Sequence, residues 1–300
     1  SASIFLRTII LYSLPILSSC GDKGQEIKYS SDNELGDKVS YDLPRFTITT
    51  PEVFDTVTVQ NTEELIKHLR SNRVIHLGSN EYPLTTTLLI DSIENLNIIG
   101  TGSSRLIIVE RNSTVLKLSN SSDIHLDSLV IGHRGSPGHN GEHGVLRVVH
   151  SNDINISNCK LLGAGTFGLV TYDTYNLKFT NSEITECTAL IFELEKSRRI
   201  EFTDSKFHNN DLAISVLGGF TNSTKKVSFL NCDFVHNRPK MPGNPAFNFM
   251  GNSKNLDERI VFTNCLFKNN EGFKWYGDKI ELNDCKVDST GFVNFSGSIE

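Results

Sequence analysis

Apolar residues in the second half of the chain recur in one pattern. Aligning Ile124, Ile154, Leu177, Ile200, Val227, Ile260 and Ile280 puts Leu126, Ile156, Phe179, Phe202, Phe229, Phe262 and Leu282 two places later. Four places after each anchor stands Ser128, Asn158, Asn181, Asp204, Asn231, Asn264 or Asp284. These side-chain types bond their own backbone and tolerate left-handed conformations. Seven places after the anchor comes a further apolar residue: Ile131, Leu161, Ile184, Phe207, Phe234, Phe267 or Val287. Alternation at period two predicts a strand on each side of a one-residue polar turn. A third strand follows in each unit, as at Val145–Val149, Gly168–Tyr172, Leu190–Leu194 and Leu212–Leu217. The anchors lie 30, 23, 23, 27, 33 and 20 residues apart, which leaves no room for a helix within a unit. One such coil cannot bury its apolar face. Stacking coils at about 4.8 Å per rung buries a continuous core and pairs every strand above and below. Ahead of the repeat, Asn61 to Leu69 predicts an amphipathic helix with Asn61 as its N-cap, followed by a first strand at Arg73 to Leu77. Such a helix covers an open sheet end that would otherwise aggregate.

The pattern resembles right-handed parallel β-helix proteins of the pectin-lyase-like superfamily, over Val53 to Val293. The resemblance implies an all-β, three-sheet solenoid over residues 45–300, with about eight to nine coils and a short N-terminal capping helix. It also implies an asparagine ladder at the tight turn, where the Asn and Asp residues above stand. It names no activity, because this superfold hosts lyases, hydrolases, epimerases, adhesins and phage spikes.

The N-terminus adds a location. Arg7 followed by the apolar run Thr8 to Leu17 and the small residues Ser18 and Ser19 reads as a secretory signal over residues 1–19. Leu17-Ser18-Ser19-Cys20 resembles the bacterial lipobox, so Cys20 is the expected lipid attachment point and residues 20–44 a polar tether. The expectation is therefore an exported lipoprotein of the bacterial cell envelope, tied to a membrane through that lipid. The alternative is an ordinary secretory signal with an unrelated cysteine. Of 300 residues, 29 are basic and 35 acidic, for a net charge of −6. Acidic balance argues against broad capture of nucleic acid. At 38% hydrophobic residues the chain is not of disordered composition.

Cys159, Cys232, Cys265 and Cys285 fall five places after their anchors and form one column, with Ser182 and Ser205 between. Side chains pointing the same way give poor disulfide torsions, so these read as small packing residues. Cys187 lies outside the column. No cysteine pair has zinc-site spacing.

Insertions place the chemistry, since loops on a rigid scaffold carry function. Residues 132–143 and 235–245 leave the coil directly after the third apolar position, four rungs or about 19 Å apart, and would wall a groove suited to several sugar rings. These loops supply His133, Arg134, His139, Glu142, Arg238 and Lys240 as candidate substrate contacts. The floor is the outer face of the following strand, to which alternation assigns Arg147 and Val149, Val170 and Tyr172, Glu193 and Glu195, and Ser215 and Leu217. For hydrolysis, Glu193 and Glu195 form a carboxylate pair with Cα atoms about 6.7 Å apart, compatible with retention or inversion. For elimination from a uronic acid, Arg147 would neutralise the substrate carboxylate, with His143 or Tyr172 as base. The competing reading leaves these as scattered surface residues on a non-catalytic adhesin or scaffold. The chain departs from known patterns: it lacks the Asp-Asp and Asn-Thr-Asp segments of polygalacturonases and the Trp-x-Asp-His and Arg-x-Pro-x-x-Arg segments of pectate lyases. No cofactor is expected. His133, His139 and His143 would suit a divalent transition metal only as neutral imidazoles, at spacings that fit no standard site. The expected partner is an extended glycan, and no oligomer interface is marked.

Overall fold

Strand formation follows the repeat. In the computed structural model the described residues are 54–109, 113–134, 144–163, 167–212, 215–218, 224–239, 247–250, 259–270, 273–276, 280–287 and 292–293. The expected signal, Cys20 and the tether lie outside them, as do His139, Glu142, His143 and Lys240. All pairings between strands are parallel, and the chain winds through three strand stacks.

The first stack, here the anchor sheet, takes in Asn152–Ser157, Tyr175–Thr180, Arg198–Thr203, Lys225–Leu230, Ile260–Thr263 and Ile280–Asn283. All seven anchors, from Ile124 to Ile280, stand in one register column. The second, middle sheet aligns the later apolar position from Ile131 to Val287 in the same way. It runs over nine successive strands, from Glu81–Leu84 to Lys286–Val287. The third, floor sheet contains Leu88–Asp91, Leu116–Ser119, Gly144–Val149, Phe167–Tyr172, Leu190–Glu195 and Ser215–Gly218.

The polar turn between anchor and middle strands works as its residue types demand. Ser128, Asn158, Asn181, Asp204, Asn231, Asn264 and Asp284 all have left-handed φ between 47° and 57°. Their side chains form exposed ladders: Asn181 Nδ2 donates to Asn158 Oδ1 at 2.6 Å, and Asn264 Nδ2 to Asn231 Oδ1 at 2.8 Å. Inside the coil, Phe202 and Phe229 stack with centroids 4.5 Å apart, Phe229 and Phe262 at 4.7 Å, and Phe234 and Phe267 at 5.0 Å. Identical residues on successive rungs thus pack face to face. The cysteine column is buried and its thiols are free, as is Cys187.

Two features were not read from the repeat. A strand at Asp55–Val59 precedes the capping helix and pairs with Arg73–Leu77, so the helix Thr62–His68 follows the first rung instead of opening the fold. Asn61 caps that helix by accepting from the Glu64 amide at 2.9 Å, and Leu65 anchors it in the core. The second feature is a buried amide ladder at the corner between middle and floor sheets. Asn210 Nδ2 donates to Asn237 Oδ1 at 2.7 Å, and Asn237 Nδ2 to Asn270 Oδ1 at 2.9 Å. The ladder starts at Cys187, whose amide donates to Asn210 Oδ1 at 2.8 Å.

Candidate functional site

The floor sheet begins with a break in alternation. Val145 and Leu146 both enter the core, as do Ile191 and Phe192 on the corresponding rung. The strand between them manages this with Gly168, where a Cβ would lie 2.5 Å from Ile184 Cγ2 and 2.7 Å from the Ile191 carbonyl oxygen. Only glycine fits there. The break turns Phe167 and Leu190 to the outer side, where they cluster with Val170 and Ala189 apart from the main core.

Beyond the break, strict alternation returns. Arg147, Val170 and Glu193 stand side by side, and so do Val149, Tyr172 and Glu195. Arg147, Tyr172, Glu193 and Glu195 line one cavity of about 250 Å³, floored by Phe167, Val170 and Thr171. A cation, a phenol and two carboxylates thus surround a small apolar floor. The next rung departs from the expected pattern. Leu217 is in register with the core residue Phe192 and Gly218 with Glu193.

The turn at the end of each floor strand supplies groups that the sequence reading missed. His150, Asp173 and Lys196 occupy equivalent left-handed positions, each with φ 49°. Lys196 Nζ donates to the Tyr172 phenol oxygen at 2.7 Å and lies 4.8 Å from the ring centroid. The hydrogen bond to Tyr172 holds the exposed Lys196 ammonium above its ordinary lysine value. His150 meets the Tyr172 ring edge-on at 5.4 Å, and its Nδ1 lies 2.9 Å from Asp173 Oδ2. Tyr172 is therefore held between a cation and an imidazole. A Lys directly after Glu195, at the repeat's turn position, is the one signal that could have revealed this.

The other candidates lie elsewhere. His133 is 4% exposed, with Nε2 2.8 Å from the Ser113 carbonyl oxygen. Arg134 is exposed and ion-paired with Glu81. Arg238 lines a separate cavity of about 330 Å³ with Asn209, Asp211 and His236. Among the described residues no group of three His, Cys, Asp or Glu side chains is placed to hold a metal ion.

The family model for the right handed beta helix region matches residues 91–234 and 143–299. The chain belongs to the right-handed β-helix family. Comparison with curated protein sequences finds no match. Solved structures similar to this β-helix include the pectin methylesterase of Aspergillus niger, at 12% identity and TM-score 0.54, covering 84% of this chain and 93% of that one. Escherichia coli ybhc is similar at 13% identity and TM-score 0.50, covering 86% and 90%. ORF18 of Geobacillus virus E2 is similar at 13% identity and TM-score 0.51, covering 71% of this chain and 44% of that one. These likenesses carry the fold alone.

Proposed function

We propose that this β-helix binds an acidic polysaccharide on its floor sheet, and that the bound chain is cleaved by β-elimination. The carrying observation is the single cavity that gathers Arg147, Tyr172, Glu193 and Glu195. Arg147 would pair with a uronate carboxylate, neutralising it so that the adjacent C–H proton can leave. Tyr172 would take that proton as the C4–C5 double bond forms and the C4–O bond breaks, and would return it to the departing glycosidic oxygen. The Tyr172 phenol oxygen accepts a hydrogen bond from Lys196 Nζ at 2.7 Å, which holds it in place. Glu193 and Glu195 would accept from sugar hydroxyls and set the register of the chain. The floor strands rise by about 4.8 Å per rung, close enough to a sugar repeat for neighbouring rungs to serve neighbouring rings. Similarity to a pectin methylesterase fold supports a polysaccharide ligand. In this reading Cys20 carries a lipid and holds the β-helix at the cell envelope.

The test is a panel of uronate polysaccharides, read in parallel by absorbance of unsaturated products, reducing ends and binding. Arg147→Ala and Tyr172→Phe should abolish unsaturated product while the sheet signal in circular dichroism is unchanged. Undiminished product from both variants would sink the assignment. Binding without product would leave a recognition module.

A further inference from the structure

A second polar cavity lies on the anchor sheet and is unused by the function proposed above. At about 480 Å³ it exceeds the floor cavity, and it is lined almost wholly by amide, hydroxyl and carboxylate groups. Asn95, Asn152, Asn155 and Asn176 contribute four amides from three strands of the anchor sheet, and Lys178 one cation.

These groups are ordered before any ligand arrives. Asp153 accepts from Asn176 Nδ2 at 2.5 Å and from Asn152 Nδ2 at 2.7 Å. Those two hydrogen bonds, Asn176 foremost, hold its carboxyl below the usual carboxylate range. Asp153 and Asn176 also share left-handed backbone, at φ 56° for both. Each amide used once in this way still has hydrogen-bonding capacity to spare, one donor on Asn152 and Asn176 besides their carbonyl oxygens.

Beside the cavity stands Tyr175, in register with Asn152 and adjacent in sequence to Asn176. It is 41% exposed, unlike the aromatic residues of the core. Arg199 lies 5.3 Å from its ring centroid, a cation–π contact that orients the ring. A rigid ring next to fixed amides and a carboxylate matches a sugar: the ring packs on the C–H face, while paired donors and acceptors take adjacent hydroxyls. The lining sets two acids, Asp123 and Asp153, against one lysine, and the amides dominate. That balance selects uncharged rings over uronates.

We propose that Tyr175, Asn152, Asp153, Asn176 and Lys178 form a second carbohydrate site that takes a neutral oligosaccharide, independent of the floor cavity. Such a site would hold a second glycan chain, or a neutral stretch of a mixed one, on the anchor sheet.

The experiment is calorimetric titration of the full chain with neutral hexasaccharides of cellulose, xylan, mannan, galactan and chitin type. At least one should bind with one-to-one stoichiometry. Tyr175→Ala should weaken it at least tenfold, and Asn176→Ala should weaken it as well, with circular dichroism confirming the fold. Arg147→Ala should leave it within twofold. Silence with every probe, undiminished binding by Tyr175→Ala, or loss on Arg147→Ala would each overturn the proposal. The floor reading is read separately with uronates, so the failure of either site is visible without the other.

Discussion

Asn237→Ala should be among the most damaging single truncations outside the phenylalanine stacks. Asn237 is fully buried, and its side chain makes three hydrogen bonds. It donates to the Phe207 carbonyl at 2.9 Å and to Asn270 Oδ1 at 2.9 Å, and accepts from Asn210 Nδ2 at 2.7 Å. A net of about 1 kcal/mol per bond gives about 3 kcal/mol. Part of the ladder survives the change, because Asn270 Oδ1 still receives the Asn237 amide at 3.0 Å and Asn210 Nδ2 keeps a 3.4 Å contact to the Ile184 carbonyl. Phe207 loses its side-chain donor, and a buried polar group left short costs about 1–3 kcal/mol more. The expected loss is about 4–6 kcal/mol. Urea unfolding followed by circular dichroism measures it, alongside amide hydrogen exchange at Cys187, whose N–H depends on the first rung of the ladder. Exchange is needed because a solenoid can open rung by rung. A loss below about 1 kcal/mol with unchanged exchange at Cys187 would refute the ladder as a stabilising element.

Other outcomes follow from the same geometry. At the exposed turn, Asn231→Gly should stay within about 1 kcal/mol of the parent, because glycine accepts the φ of 54°, whereas Asn231→Val should lose about 2 kcal/mol or more; equal losses in urea unfolding would count against strain at the turn. Glu183 is ion-paired to Lys160 at 2.6 Å and to His208 at 2.9 Å. Burial raises its carboxyl, but these partners outweigh burial and hold it below the ordinary value. A depressed carboxyl stabilises above its unfolded value, and that contribution is lost as pH falls through the folded one. The cost of Glu183→Gln should therefore be full near pH 7 and vanish towards pH 3; a cost that persists at pH 3 would contradict the pairing. Burial pushes the Cys159 thiol up to about 12 and raises Cys187 too. In a Cys20→Ser chain at pH 8, a thiol reagent should therefore react only as fast as the fold opens; rapid reaction of the native chain would show that these thiols are accessible.

How much was legible depended on which positions the core constrains. The anchors, the later apolar positions and the turn residues from Ser128 to Asp284 sit where burial or backbone chirality restricts the residue type, so the repeat exposed them. Other left-handed positions include Lys196, Arg199, Glu186 and His236, residue types that give no turn signal. Their backbone is held by the rungs above and below. The amide ladder through Asn237 escaped notice because asparagine outside a strand reads as loop. Within the site, Arg147, Tyr172, Glu193 and Glu195 were found because alternation holds after the break at Val145–Leu146. Lys196 gives no signal in that alternation because it acts across a rung from a turn.

The central claim is that the cavity around Arg147 and Tyr172 takes an acidic sugar chain, and the affinity of uronate oligosaccharides for the parent and for Arg147→Ala tests it most directly. Loss of one charge-assisted contact to a carboxylate should weaken binding by about tenfold or more, corresponding to about 1.5–3 kcal/mol. The same affinity in both proteins, with the fold intact, would contradict the account.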